Sequence, residues 1–140
     1  MRVFIVKTLF TLLILFSFDL CSQTVTLVNN LNFGNQVVGV ANTVVVAPTD
    51  SGAAVFNATS MTPGKSVTCK IVNSSTTINN GGNGSKNNIT VSNYTISGCT
   101  SVVPANGQIL NIGVGATATI TSGDLAGDYT GTNTFRITTN

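Results

Sequence analysis

A regular alternation of apolar and polar residues runs from Leu110 to Thr121. Because the side chains of a β-strand point alternately to its two faces, this segment is predicted to be one long strand with a buried face and a solvated face. Residues 122–128 interrupt the pattern with two turn clusters, and the alternation resumes with Phe135 and Ile137 on one face. The positions predicted to be buried on the long strand are Leu110, Ile112, Val114, Ala116, Ala118 and Ile120.

Shorter alternating segments precede this strand and are rich in Val, Ile and Thr, which suit a pleated sheet. No segment has the periodicity of an amphipathic helix, and clusters of Gly, Pro, Asn, Asp and Ser separate the alternating runs. A change of parity between Val91 and Tyr94 predicts a bulge near Ser92–Asn93. The predicted strands cover residues 23–28, 42–46, 53–60, 67–71 and 89–97, and the third and fourth are predicted to form a hairpin around the turn Thr62–Lys65.

About seven to nine short strands with turns between them predict an all-β fold, a two-layer antiparallel β-sandwich. Residues 23–140 suit a single domain of this kind. Residues 73–88 have low complexity and little apolar area to bury, so they are predicted to be a flexible loop or the mobile tip of a hairpin. We expect Phe33, Phe56 and Phe135 to point inward, and Tyr129 to pack its ring and bond its hydroxyl to the backbone, as the corner tyrosine of immunoglobulin-type sandwiches does.

The first residues have the pattern of an export signal. Arg2 and Lys7 give a positive start, and Thr8–Phe18 is an apolar run that is short for a membrane span. We therefore predict a signal peptide over residues 1–22, cleaved before Gln23, and an exported chain without a transmembrane segment. Cys21 leaves a second possibility open, a lipid-anchored cysteine at the mature N-terminus.

Two cysteines, Cys69 and Cys99, lie in the chain after the predicted signal. An even pair of cysteines in an exported chain is typical of a disulfide. The alternative is two buried free thiols. A redox or zinc role is disfavoured, because the chain has neither a CxxC spacing nor a histidine.

The composition argues against catalysis and against nucleic acid as a partner. The chain has no His and no Glu, only 7% of its residues are charged, and its lysines are isolated from one another, so few groups are available for acid–base chemistry. The cations after residue 22 are scattered and form no stripe for a phosphate backbone. They are Lys65, Lys70, Lys86 and Arg136. We predict no enzymatic activity and no cofactor.

Two minor binding sites are considered. Asp124 and Asp128 flank a Gly-containing turn and are weak candidates for calcium, although Asp in such turns commonly bonds its own backbone. A threonine stripe on the long strand, Thr117, Thr119 and Thr121, is predicted to be a solvated sheet face. The alternative is that this polar face binds glycan, but Tyr94 and Tyr129 are the only tyrosines available as aromatic platforms, and there is no Trp.

Three short sequence motifs follow one another along the chain: Leu31–Gly34, Ala54–Thr59 before a Pro-Gly turn, and Ile112–Thr117 leading to Gly127–Gly131. Together they resemble the bacterial family called domain of unknown function 4402, whose members show an L-x-F-G start, an A-x-F-x-V-x-G strand and a V-G-A-T-L … G-x-Y-x-G-x-F ending. The resemblance covers nearly all of the chain after the predicted signal. Ser60 departs from it, since the family often has Gly there.

The resemblance implies an exported, immunoglobulin-like sandwich related to fimbrial subunits, and it implies no established activity. On that analogy residues 23–30 would be a donor strand that pairs with a neighbouring subunit's sheet edge through Val25 and Leu27. The alternative is that this segment closes its own sandwich. The predicted function is an exported structural or adhesive surface subunit that associates with itself or with other surface subunits. The runner-up is a monomeric binding module for glycan or matrix.

Overall fold

A computed structural model describes residues 23–37 and 39–140, and the predicted signal peptide and Cys21 lie outside the described residues. The described chain is all-β with antiparallel pairing, which confirms the predicted fold class. The immunoglobulin-like sandwich layout stays a prediction. The elements are β1 (Thr24–Asn29), β2 (Asn42–Val46), β3 (Ala54–Thr59), β4 (Val67–Ile71), β5 (Ser75–Asn79), a 3₁₀ turn (Ser85–Asn87), β6 (Asn88–Ser97), β7 (Ile109–Ile120) and β8 (Phe135–Thr139).

The long strand predicted from the alternation is β7, and it is the centre of a six-stranded sheet. One edge of β7 pairs with β6. The other edge pairs with β3 along its first half, where Ala54 faces Val114, and with β2 along its second half, where Val46 faces Ala116. The order across the sheet is β1-β3-β7-β6-β5, with β2 also on β7.

In the part of the chain that the structure describes, the second sheet consists of β4 and β8. The predicted hairpin between the third and fourth strands is therefore wrong, because β3 and β4 lie in different sheets. Thr62–Lys65 does form a turn, closed by a hydrogen bond from the Lys65 nitrogen to the Thr62 carbonyl and with Gly64 at φ +78°. This turn leads from one sheet to the other. Met61, buried just before it, anchors the crossing through a hydrogen bond to Gly107.

The alternation along β7 breaks at its beginning. Asn111 has a positive φ of 58°, and the pairing with β3 shifts register at this point. This bulge puts Ile109 and Ile112 in the core and turns Leu110 outward, where 49% of its surface is exposed. The prediction that Leu110 is buried is therefore wrong. Simple alternation assigns every second residue of a strand to the same face. One extra residue at a bulge exchanges the buried and exposed positions for the residues that precede it.

The face of β7 predicted to be solvated is covered near its middle. A Cβ atom on Gly113 would overlap the carbonyl oxygen of Pro48, and one on Gly115 would overlap that of Val46. The backbone between β2 and β3 therefore lies directly against β7, and glycine is required there because any side chain would displace it. Thr117 is also buried, with 9% of its surface exposed, so it is not part of a solvated threonine stripe.

We expect Gly113→Ala to lower the free energy of unfolding by about 1–3 kcal/mol, because the added methyl must push the Pro48 backbone away. Gly123→Ala is the matched control, since the nearest atom to a Cβ there, Thr121 Oγ1, is 3.9 Å away. Urea unfolding of the purified chain measures both variants. Equal stability of the two variants would contradict the close packing of this segment on β7.

The predicted bulge in β6 is confirmed. The pairing of β6 with β7 shifts register between Ser92 and Thr95, and Asn93 has a positive φ of 51°. Asn tolerates this left-handed conformation better than most residues with a side chain. The bulge lets Val91 and Tyr94 face the same side of the sheet, although they lie three positions apart.

Residues 73–88 are not one loop, because Ser75–Asn79 forms β5 and pairs with β6 as an edge strand. The prediction overlooked that Thr76 and Ile78 lie on one face of a strand, and that backbone pairing needs no large apolar surface. Asparagine side chains hold the connection from β5 to β6. The Asn79 amide donates to the Asn88 side-chain oxygen, and Asn87, which is buried, donates to the carbonyl of Asn83.

Two apolar clusters form the core. The first draws residues from both sheets, so it holds the sheets together. The second lies on β6 and β7 and is covered by Leu31, Phe33 and Tyr129, which come from connecting segments. The buried members of the first are Ala58, Met61, Val67, Val103, Ile109, Ile112 and Ile137, and those of the second are Ile89, Val91, Ala116, Ala118 and Ile120.

Candidate functional site

A cavity of about 960 Å³ lies between the six-stranded sheet and two connecting segments, residues 30–37 and 124–133. It begins at the end of the small sheet, because its lining includes the paired residues Ile71 and Phe135 of β4 and β8. The small sheet therefore covers only part of the large sheet, and the cavity occupies part of the remainder. A cavity of this size is in the usual range for ligand sites.

The floor of the cavity is apolar and comes from β3, β5, β6 and β7 of the large sheet and from β8 of the small sheet. Phe56 on β3 stacks on Phe135 with the ring centroids 4.4 Å apart and the planes at 28°. On the opposite side Phe33 is half-buried against the second cluster. The three phenylalanines expected to point inward therefore all line this one cavity. Ile78, Ile89, Val91 and Val114 complete its floor.

Both tyrosines of the chain also line the cavity. The hydroxyl of Tyr94 shares a hydrogen bond with Thr76 Oγ1. The hydroxyl of Tyr129 donates to the carbonyl of Leu125 at 2.7 Å, while its ring packs on the second cluster. Tyr129 thus ties its own connecting segment to the sheet, with the ring packing and backbone bonding expected of a corner tyrosine.

The charged side chains in the lining are Asp124 and Asp128. Asp124 is buried, and its carboxylate accepts hydrogen bonds from the Thr121 nitrogen at 2.7 Å and from Thr121 Oγ1 at 2.9 Å. Asp124 therefore closes the turn at the end of β7, whereas Asp128 is exposed. The two calcium candidates lie on one segment, but in the described part of the chain no group of three or more His, Cys, Asp or Glu residues is placed to hold a metal ion.

The predicted disulfide between Cys69 and Cys99 is confirmed. Cys69 lies on β4 in the small sheet, and Cys99 follows the end of β6 in the large sheet. Both are half-buried against the first apolar cluster. The bond therefore links the two sheets covalently, beside the core that already joins them.

The predicted donor segment forms β1, the edge strand of the large sheet, and pairs with β3 of its own chain. All six of its residues are exposed, including Val25 at 43% and Leu27 at 49%. Neither side chain belongs to one of the two clusters, although Leu27 reaches the border of the cavity. No described strand pairs with the outer edge of β1.

The sequence pointed to most of the aromatic residues at this site, because alternation placed them on inward faces. It did not predict the cavity itself or the role of residues 30–37 in covering it. No local pattern marks a segment as the cover of a distant sheet.

None of the residues described in the structure belongs to a helix long and apolar enough to cross a membrane. No protein-family model, curated protein or solved structure matches this chain.

Proposed function

We propose that this chain is an exported, non-catalytic surface subunit, structural or adhesive in the manner of a fimbrial subunit, which assembles by β-strand addition. The observation that carries the proposal is the solvent exposure of the apolar side chains of β1. This strand has an apolar face, yet its own fold leaves that face half in solvent. A strand bound mainly by backbone hydrogen bonds at a sheet edge can exchange those bonds for equivalent ones on another copy.

Strand exchange lowers the free energy only if the receiving copy buries more of the apolar surface of β1 than its own chain does. The cavity offers such a surface, since its floor is apolar and the small sheet stops at its border. Burying what remains exposed of Val25 and Leu27 would stabilise the assembly by about 1 kcal/mol for each side chain. The segment Thr24–Asn29 carries no charge, and among the described residues no Lys or Arg lines the cavity, so the two surfaces are compatible.

Export is supported by two features that do not depend on each other. Residues 1–22 have the charge and hydropathy pattern of a signal peptide. The disulfide between Cys69 and Cys99 is typical of an oxidising compartment, where such bonds persist. The proposed location is therefore outside the cytoplasmic membrane or on the cell surface, in contact with further subunits.

Strand addition is tested with Leu27→Asp, because a charge on the apolar face of β1 would be buried in the receiving copy. We expect Leu27→Asp to fold, since Leu27 is half exposed in its own chain, and to remain monomeric. Thr26→Asp, on the opposite face of the same strand, is the matched control and should assemble like the native chain. Sedimentation and negative-stain images of surface material from producing cells measure assembly.

Assembly of Leu27→Asp to the native extent would refute strand addition through β1, and a native chain that stays monomeric would refute assembly altogether. The second outcome would favour a monomeric module that binds neutral glycan. That function rests on one observation, the gathering of Tyr94, Tyr129 and several asparagines around the cavity. A monomer that binds neutral oligosaccharides on an array would establish it.

A further inference from the structure

We infer that Asn83 is a site of spontaneous covalent modification, at which the side-chain amide is converted to aspartate and isoaspartate. In this reaction the backbone nitrogen of Gly84 attacks the side-chain carbonyl carbon of Asn83. A carbon–nitrogen bond forms, ammonia leaves, and a cyclic imide results. Water then opens the imide at either carbonyl. Glycine favours the attack because it has no Cβ to obstruct the approach.

The chain contains three Asn–Gly pairs, Asn80–Gly81, Asn83–Gly84 and Asn106–Gly107. The reacting groups are the same in all three pairs, so the sequence of the pairs does not predict which one is modified fastest. Attack requires that the glycine nitrogen and the asparagine side chain are both free to approach each other. The hydrogen bonds of the folded chain decide which pair meets this condition.

The first pair is held in place. The Gly81 nitrogen donates a hydrogen bond to the side-chain oxygen of Asn79. The side-chain oxygen of Asn80 accepts one from the Gly82 nitrogen at 3.1 Å. Both reacting groups of Asn80–Gly81 are therefore engaged, and both bonds must break before attack.

The third pair is held in the same manner. The Gly107 nitrogen donates to the carbonyl of Pro104 at 2.9 Å. The side-chain oxygen of Asn106 accepts from the Gln108 nitrogen at 3.1 Å. Gly107 is moreover buried, so water reaches this pair poorly.

The middle pair differs from both. Across residues 23–37 and 39–140, neither the Asn83 side chain nor the Gly84 nitrogen makes a hydrogen bond. Both residues are exposed, and the space beside Gly84 is open, as it also is beside Gly81. Of the three pairs, this is the one in which neither the attacking nitrogen nor the attacked side chain is held by a hydrogen bond.

The modification would change the connection between β5 and β6. The carbonyl of Asn83 accepts a 2.7 Å hydrogen bond from the buried side chain of Asn87. Isoaspartate lengthens the main chain at this residue by one methylene and displaces that carbonyl. Asn87 would then lose a partner inside the protein, which is unfavourable for a buried amide. We therefore expect the modified connection to open more readily to proteases.

The test incubates the purified exported protein in mildly alkaline buffer at body temperature and maps its peptides by mass spectrometry. We expect conversion at Asn83 to be at least about tenfold faster than at Asn80 and Asn106, because the hydrogen bonds that hold the Asn80–Gly81 and Asn106–Gly107 pairs must break before attack. The same protein in concentrated urea should convert at similar rates at all three sites. Asn83→Gln should remove the fast phase and leave the slow sites unchanged.

Equal rates at the three sites in the folded protein would overturn the inference. A preference for Asn83 that persists in urea would also overturn it, because the local sequence rather than the fold would then be the cause. Neither result depends on the proposed assembly through β1.

Discussion

Ile112→Ala is expected to lower the free energy of unfolding by about 2–5 kcal/mol, a range typical of large-to-small substitutions in a core. Ile112 is fully buried near the beginning of β7, just after the bulge at Asn111, and belongs to the cluster that joins the two sheets. Truncation removes apolar contacts and leaves a cavity that the surrounding strands can fill only in part. Urea unfolding followed by tyrosine fluorescence or circular dichroism measures the change.

Leu110→Ala is the matched control, since it lies two positions away on the same strand and loses a side chain of equal volume. Leu110 is 49% exposed, so we expect a loss below about 1 kcal/mol. The pair distinguishes the structure from simple alternation, which would bury both side chains equally. Comparable losses for the two variants would show that β7 has no bulge at Asn111.

The double substitution of Cys69 and Cys99 by serine is expected to lower the free energy of unfolding by about 3–4 kcal/mol. The cysteines are 30 residues apart in sequence, and the bond between them restricts the unfolded chain. The loss of the disulfide should destabilise the fold strongly, because the other apolar contacts between the two sheets are the first cluster and the Phe56–Phe135 pair that packs against it. Thermal or urea unfolding measures the effect.

Reduction of the native protein provides an independent check. A reductant should lower the stability of the native protein to about that of the double variant, and it should leave the double variant unchanged. Native protein that unfolds at the same urea concentration with and without reductant would contradict a stabilising disulfide. Labelling of free thiols before unfolding verifies that the bond was present at the start.

Strand positions were predictable in large part. The limits predicted for β2 and β4 agree with the structure, and the bulge in β6 was located from a change of parity alone. Such features depend on the two-residue period of a strand, and this period can be recognised from residues that are adjacent in the sequence. The bulge at Asn111 was overlooked because Leu110 is apolar and fits the alternation, even though it points outward.

Strand partners were harder to predict. The runs at β3 and β4 looked like a hairpin because a Pro-Gly turn separates them, yet they belong to different sheets. A tight turn reverses the chain without specifying whether the next strand pairs with the last or crosses to another layer. Burial of Met61 and Val67 in the cluster between the sheets favours the crossing, and that is a property of the whole core.

By itself, the sequence of this protein determined most of the β-strands, most of the inward-facing aromatic residues and the two cysteines that pair, because each follows from local alternation or from counting. Only the tertiary structure decided that β1 lies half exposed at an edge, that a cavity remains beside the small sheet, and that one Asn–Gly pair of three is unrestrained. These features arise from contacts between residues far apart in the chain, so no local pattern encodes them.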